Sequence, residues 1–222
     1  CSWCWGFKPC WDELQRHLSI EYQDTLSIEY LVGGLAPDTD AVMPAEQQAT
    51  ITQTWRTIEA RLGTEFNFEF WHQNTPRRST YMSCRAVLAA ETQCSSAGAT
   101  MLQRIQEAYY LKALNPSDTE VLVQLAVDMG LEQQVFRDDL TSRALQLSLR
   151  NNFRLARRLP IQGFPSLVLV RLPSKNLLTM PTTPEGALLA MDEEALLIDL
   201  IAIDYSNPQP MKDQIDTLIA RL

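Results

Sequence analysis

The stretch CSWCWGFKPC at the start of the chain holds three of the five cysteines. Cys1 and Cys4 are separated by two residues, and an apolar pattern of helical period follows them directly. The first turn of a helix leaves backbone N–H groups unpaired and carries partial positive charge. Both effects stabilise a thiolate on Cys1, so we expect its pKa to fall from about 8.5 to roughly 3.5–7.5. Cys4, one turn inward, is then placed to close a disulfide and to resolve a mixed disulfide.

The cysteine pair alone leaves other chemistries open. The same spacing is half of a zinc site, for which His72 is a further candidate ligand, but such a site needs four ligands. Cys1 is also compatible with an N-terminal nucleophile of a hydrolase, with a lipid-bearing cysteine, or with a peptide-binding module without catalysis. The helix-rich pattern begins directly after Cys1, and the chain keeps two spaced sulfurs. These two features favour none of the alternatives above. We therefore expect no metal site.

Composition restricts the class of protein. The net charge of −8 and the pI near 4.8 speak against a nucleic-acid surface, which needs clustered positive charge. Because no run of about 18 apolar residues occurs, we predict no membrane span. The odd number of cysteines favours the cytoplasm, with the periplasm as the alternative if a leader has been removed.

Hydrophobic patterns place strands towards both ends of the chain and helices between them. The predicted strands are Thr25–Val32, Phe66–Trp71, Ser166–Arg171 and Ala195–Tyr205. The predicted helices include Cys4–Leu18, Ala45–Leu62, Ser79–Glu91, Ser96–Leu114, two within Glu132–Leu159 that are separated near Asn151 and Asn152, and Met211–Leu222. Residues 172–193 are expected to form an extended hairpin or an inserted loop. This order indicates a small α/β sheet with a helical insertion.

A second motif, GFPSLVLV, places Phe164 and Pro165 directly before a predicted strand. A proline entering a strand is tolerated where its peptide bond is cis and forms a tight turn. Such a loop can lie against Cys1 and Cys4 and present the backbone of Phe164 to a substrate. An ordinary trans turn is the alternative reading, but the combination with the cysteine pair and Pro9 favours the cis form.

CSWCWGFKP and QGFPSLVL resemble the two active-site elements of the thioredoxin superfamily. The segments NTPRRSTYMSCRAVLAAE and AIDYSNPQPM resemble its DsbA-type branch, and within it the FrnE-like and 2-hydroxychromene-2-carboxylate isomerase-like oxidoreductases. The resemblance implies an α/β, thioredoxin-like fold with a large inserted all-helical subdomain. Residues 1–34 and 159–222 would form the discontinuous thioredoxin-like domain, and residues 35–158 the helical insertion. This fold has a strand before the cysteine pair, which we expect to lie upstream of Cys1.

The resemblance implies a thiol–disulfide oxidoreductase of the DsbA-like family that acts on protein or small-thiol substrates. Cys1 would be the nucleophile and Cys4 the resolving thiol. Pro165 would be a cis-proline in contact with substrate, and Phe164 would supply backbone contacts. The spacer lacks the histidine of the DsbA motif CPHC, so strong oxidising power is not expected.

The resemblance also bears on binding residues and partners. Trp3 is expected to shape an apolar substrate groove, and Arg77 and Arg78 to hold an acidic substrate or a glutathione carboxylate. No tightly bound cofactor is expected, glutathione is a candidate co-substrate, and the protein is expected to be a monomer or weak dimer. The alternative is a glutathione-dependent isomerase or transferase of the kappa or 2-hydroxychromene-2-carboxylate isomerase type. Those relatives typically carry serine where Cys1 stands, so the two sulfurs favour thiol exchange.

Overall fold

The computed structural model describes residues 1–171 and 196–221, so the expectation for residues 172–193 lies outside the described residues. The strands are β1 (Leu167–Arg171) and β2 (Leu196–Ile201). The helices are α1 (Ser2–Glu21), α2 (Ala45–Leu62), α3 (Phe70–Gln73), α4 (Tyr81–Gln93), α5 (Ala97–Tyr110), α6 (Thr119–Asp128), α7 (Gln133–Thr141), α8 (Arg143–Arg158) and α9 (Gln209–Ile219).

The two strands form the sheet against which the first and last helices pack. β1 and β2 are antiparallel, with Leu167 opposite Ile201 and an irregularity after Leu169. One hydrophobic core joins these strands to α1 and α9, and its buried members are Phe7, Cys10, Leu14, Leu18, Leu169, Ile201, Met211 and Ile215. Burial of α1 along this face anchors the helix whose first turn carries Cys1 and Cys4.

A second core lies among helices α4 to α8. The alanine-rich middle of α4 is fully or nearly fully buried, and the small side chains of Ala86, Ala89 and Ala90 allow neighbouring helices to approach it. Larger residues from the other helices complete this core, among them Met101, Leu122, Phe136 and Leu149. The α/β class with a large all-helical region, predicted from the sequence, is confirmed.

Two predicted strands are wrong. Thr25 lies in a turn and residues 26–32 have no regular secondary structure. Within the described residues no segment forms a ladder with this backbone, and Leu26, Ile28 and Val32 instead pack their side chains onto the two cores. A strand requires ladder hydrogen bonds as well as an apolar pattern. Phe66–Trp71 forms turns that lead into α3, because its aromatic residues surround the indole of Trp55 and do not line a sheet face.

The helix break predicted near Asn151 and Asn152 is also misplaced. α7 and α8 separate at Ser142, whose hydroxyl accepts a hydrogen bond from the Leu145 N–H and so caps α8. Asn152 lies buried inside α8, where its amide donates to the carbonyl of Ser148 and accepts from the N–H of Val32. Asn152 therefore makes a tertiary contact and does not end a helix.

None of the helices within residues 1–171 and 196–221 has the length and apolar character needed to cross a bilayer.

Candidate active site

Cys1 occupies the N-cap position of α1, and Cys4 lies in the first turn of that helix. The helix starts at Ser2, earlier than predicted, and the Trp5 N–H donates to the carbonyl of Cys1 at 3.2 Å. Cys1 is exposed, Cys4 is half-buried, and both are free thiols. The exposed sulfur therefore sits at the electropositive end of the helix, with the second sulfur one turn inside it.

The loop before β1 meets Cys1 across 163 residues of sequence. The Cys1 thiol donates a hydrogen bond to the carbonyl of Phe164 at 3.3 Å, and the Phe164–Pro165 peptide bond is cis. The hydroxyl of Ser166 donates to the carbonyl of Gly163 at 2.7 Å and closes the loop on itself. The structure thus brings together Cys1, Phe164 and Pro165, three of the residues that the sequence singled out.

Gly33 provides the seat for the ring of Phe164. A Cβ atom at position 33 would lie within 3 Å of three ring atoms of Phe164, so the ring rests directly on the glycine backbone. Gly33 directly follows the predicted strand Thr25–Val32, and sequence reasoning gave it no role at the site. The glycine pair after an apolar run is visible in the sequence, but the sequence does not indicate that Phe164 packs against it.

Cys4 is half-buried beside the phenols of two tyrosines. Burial raises the pKa of its thiol, and the phenols of Tyr110 and Tyr205 are close enough to interact with it electrostatically. Tyr110 is fully buried, which raises the pKa of its own hydroxyl well above the usual value. Cys4 therefore has a smaller thiolate fraction than an exposed cysteine, which is consistent with a thiol that reacts second.

Ser2 ties the start of α1 to α2. Its hydroxyl accepts a hydrogen bond from the indole N–H of Trp55 at 3.0 Å, and Trp55 is fully buried in an aromatic core that includes Phe66, Phe70 and Tyr110. The position of α2 relative to the two cysteines is therefore set by a buried anchor. Sequence reasoning assigned no role to Ser2.

Trp3 stands between the cysteines and α2. Its ring contacts Tyr205 edge to face, with centroids 5.2 Å apart. Trp3 also lines an open groove of about 550 Å³ together with one face of α2, from Glu46 to Thr57. Sequence reasoning did not foresee the wall contributed by α2, and the role of Trp3 in substrate binding stays a prediction.

The two loop arginines differ in their surroundings. Arg77 donates to the carbonyl of Ser117 at 2.8 Å and forms an ion pair with Asp118, which holds the loop against the start of α6. This engagement neutralises its charge and speaks against its use for a substrate carboxylate. Arg78 is exposed, and its role in binding an acidic group stays a prediction.

No group of three or more His, Cys, Asp or Glu side chains is placed to hold a metal ion within residues 1–171 and 196–221. The zinc alternative, which needs four ligands, therefore finds no ligand set around Cys1 and Cys4 in this part of the chain.

Comparisons with known proteins give a family and several relatives. A family model described as thioredoxin matches residues 1–177. The ClpXP adapter protein SpxH of Halalkalibacterium halodurans is 26% identical over 172 residues, which are 76% of this chain and 55% of that protein. SpxH of Bacillus subtilis is 25% identical over 168 residues, which are 75% and 54% of the respective chains. The chain thus spans about half the length of the curated relatives it matches.

Solved structures match along the whole chain. A proposed protein disulfide isomerase from Nitrosomonas europaea superposes with a TM-score of 0.74 at 23% identity, covering 100% of this chain and 93% of that one. The cytosolic disulfide reductase DsbM from Pseudomonas aeruginosa gives a TM-score of 0.68 at 21% identity, with 100% and 95% covered. DsbM has also been solved with GSH, and that structure gives a TM-score of 0.66. The matched family model shows that the chain belongs to the thioredoxin family, and the solved structures share its fold.

Proposed function

We propose that the protein is a thiol–disulfide oxidoreductase that exchanges disulfides with protein or small-thiol substrates through Cys1 and Cys4. The observation that carries this proposal is the placement of the exposed Cys1 thiol at the start of α1, hydrogen-bonded to the carbonyl of Phe164. A substrate disulfide that reaches Cys1 also reaches the backbone before Pro165. The thioredoxin family model, which matches residues 1–177, supports the same chemistry.

The exchange proceeds in two balanced steps. The thiolate of Cys1 attacks one sulfur of a substrate disulfide, which breaks the S–S bond and releases a substrate thiolate that takes up a proton. Cys4 then loses its proton and attacks the sulfur of Cys1, releasing the second substrate thiol. The substrate disulfide has gained two electrons, and Cys1 and Cys4 have been oxidised to a disulfide. Burial of Cys4 raises its pKa and lowers its thiolate fraction, which favours the exposed Cys1 as the first attacking thiol.

Glutathione is the proposed co-substrate that restores the dithiol. Two glutathione molecules reduce the Cys1–Cys4 disulfide and become one glutathione disulfide, so the cycle closes without a bound cofactor. The support is the structural neighbour DsbM, a cytosolic disulfide reductase solved with GSH. We further propose a cytoplasmic location, which the cytosolic neighbour DsbM supports, and a monomer or weak dimer, as expected from the sequence.

Insulin reduction followed by turbidity tests the proposal. The wild-type protein should accelerate it in the presence of a thiol, and Cys1→Ser should abolish the acceleration. Cys94→Ser is the matched control, because Cys94 is also an exposed free thiol but lies outside the site. Cys4→Ser should accumulate a mixed disulfide on Cys1 that mass spectrometry detects. Unchanged activity of Cys1→Ser would refute the proposal.

Two other functions are separated by the same variants. An adapter function is suggested by the SpxH relatives, and binding of a client protein should then survive Cys1→Ser and Cys4→Ser together. A glutathione-dependent isomerase or transferase, the alternative from the sequence, should retain turnover of a small electrophile in Cys4→Ser. Loss of thiol–disulfide exchange in Cys1→Ser, measured by insulin reduction, supports the oxidoreductase function.

A further inference from the structure

The groove beside Trp3 has a firmly held wall. The inward face of α2 is buried through Trp55 and Ile58, which are both fully shielded from solvent. Trp55 is anchored to Ser2, and Gly6 leaves room for Ile58 and Leu62 to pack against α1. The outward face of α2 that lines the groove is therefore fixed relative to Cys1.

The chemistry of this wall favours a polypeptide with a basic side chain over an anionic ligand. The hydroxyls of Thr50, Thr54 and Thr57 donate to the carbonyls four residues before them, at 2.9, 3.0 and 2.9 Å. Their protons are thus used within the helix, and they present methyl groups and oxygen acceptors to the groove. Among the described residues that line it, Glu46 is the one ionisable group. A carboxylate ligand finds no cation in this lining, whereas a basic side chain finds a partner.

The length of the wall separates two classes of substrate. Ser2 contacts α2 at Trp55, so Cys1 lies near that level of the helix. Glu46 is nine residues before Trp55, which corresponds to about 13 Å along the helix axis. An extended chain advances roughly 3.3 Å per residue, so about four residues reach from the reactive cysteine to Glu46. Glutathione has one residue on each side of its cysteine and falls short.

We propose that the Trp3–α2 groove is a binding subsite for an extended polypeptide substrate that carries a basic side chain about four residues from its reactive cysteine. This inference rests on the proposed function and names its substrate class. Trp3 contacts the apolar residues beside the cysteine, the threonine face accommodates the chain, and Glu46 pairs with the Lys or Arg. Glutathione then serves as the reductant of the enzyme and not as the ligand of this groove.

Single-turnover reduction of disulfide peptides tests the inference. Two peptides are compared that differ only in Lys or Glu four residues from the cysteine, and hydroxyethyl disulfide serves as a small reference substrate. Each rate is divided by the rate of the same protein variant on hydroxyethyl disulfide. The wild type should favour the Lys peptide by about two- to fivefold at low salt, as for an exposed ion pair. The preference should fade near 0.5 M salt, where screening is strong (about 4 Å Debye length).

Charge and shape variants locate the effect on α2. Glu46→Lys should reverse the preference between the two peptides, and Ala49→Trp should lower the relative rate of both by obstructing the groove. The matched controls are Glu59→Lys and Ala60→Trp, which make the same changes at exposed positions of α2 outside the lining. Both controls should keep the wild-type ratios.

Each outcome decides the matter. Equal rates for the two peptides, or equal effects of Glu46→Lys and Glu59→Lys, overturn the groove assignment while the proposed function stands. Failure of the wild type to reduce hydroxyethyl disulfide overturns the proposed function and the groove assignment with it. Reversal by Glu46→Lys alone, with faster turnover of the Lys peptide than of glutathione disulfide, supports the inference.

Discussion

Replacing Gly33 with alanine should displace the loop that contacts Cys1. The new Cβ would meet three atoms of the Phe164 ring, and even the most distant of them, Cε2, would be 2.9 Å away, whereas ordinary contact begins at 3.4 Å. The ring must therefore move, and overpacking of this kind costs about 1–3 kcal/mol. Because the carbonyl of Phe164 accepts the Cys1 hydrogen bond, we expect insulin reduction to slow by about ten- to a hundredfold, as for a misplacement of roughly 1 Å at a reacting group.

Gly34→Ala is the matched control for this prediction. Gly34 has φ of +62°, and a Cβ there would collide with the ring of Phe153 on α8, not with Phe164. This variant should lose at least as much stability, since it combines left-handed backbone strain with overpacking. Its insulin activity per folded molecule should nevertheless stay close to wild type.

Urea denaturation and insulin turbidity together decide the outcome. Gly33→Ala combined with Phe164→Leu should lose less stability than the sum of the two single variants, by about 1 kcal/mol, because the smaller side chain relieves the collision. Wild-type activity of Gly33→Ala, or an equal loss of activity in Gly34→Ala, would refute the role of Gly33 as the seat of the active-site loop.

Three further outcomes follow from other contacts. Iodoacetamide at pH 8 should modify the exposed Cys94 well before Cys10, because burial raises the pKa of Cys10 to about 11; peptide mass spectrometry that finds Cys10 labelled first would contradict this. Burial raises the pKa of Glu91 from 4.5 to about 7, so the folded protein loses stability as pH rises from about 4.5, the unfolded-state value, to about 7. Glu91→Gln should therefore raise the free energy of unfolding by roughly 1 kcal/mol at pH 8, allowing for partial exposure, and leave it unchanged at pH 4; equal effects at both values would be contrary evidence. Ser2→Ala leaves the indole N–H of Trp55 without its acceptor and should cost about 1–3 kcal/mol in urea denaturation, whereas Ser2→Thr should retain most of the stability.

Local sequence signals were sufficient for several elements. α2 spans Ala45–Leu62 as predicted, because its apolar residues recur at helical spacing and Gly63 ends it at φ of +69°. β1 was likewise foreseen from a short apolar run. Such features depend on residues within one or two turns of each other, and their physics is therefore readable from the sequence.

Elements whose state depends on distant partners were misread. Thr25–Val32 has the composition of a strand but lacks a ladder partner within the described residues. Asn152 is a residue type common at helix ends, but it lies inside α8, where its side-chain oxygen accepts a hydrogen bond from the N–H of Val32. Composition describes what a segment can form, and the partner it meets in the fold determines which form it takes.

The same division holds at the candidate site. The chemistry of a thiol at a helix start is local, so Cys1, Cys4 and the Phe164–Pro165 turn could be named from the sequence. The meeting of Cys1 with the carbonyl of Phe164, the glycine seat and the wall formed by α2 arise from packing between segments that are far apart in the chain. The hydrophobic periodicity of the sequence does not predict such contacts, because they are set by the shape of the assembled core.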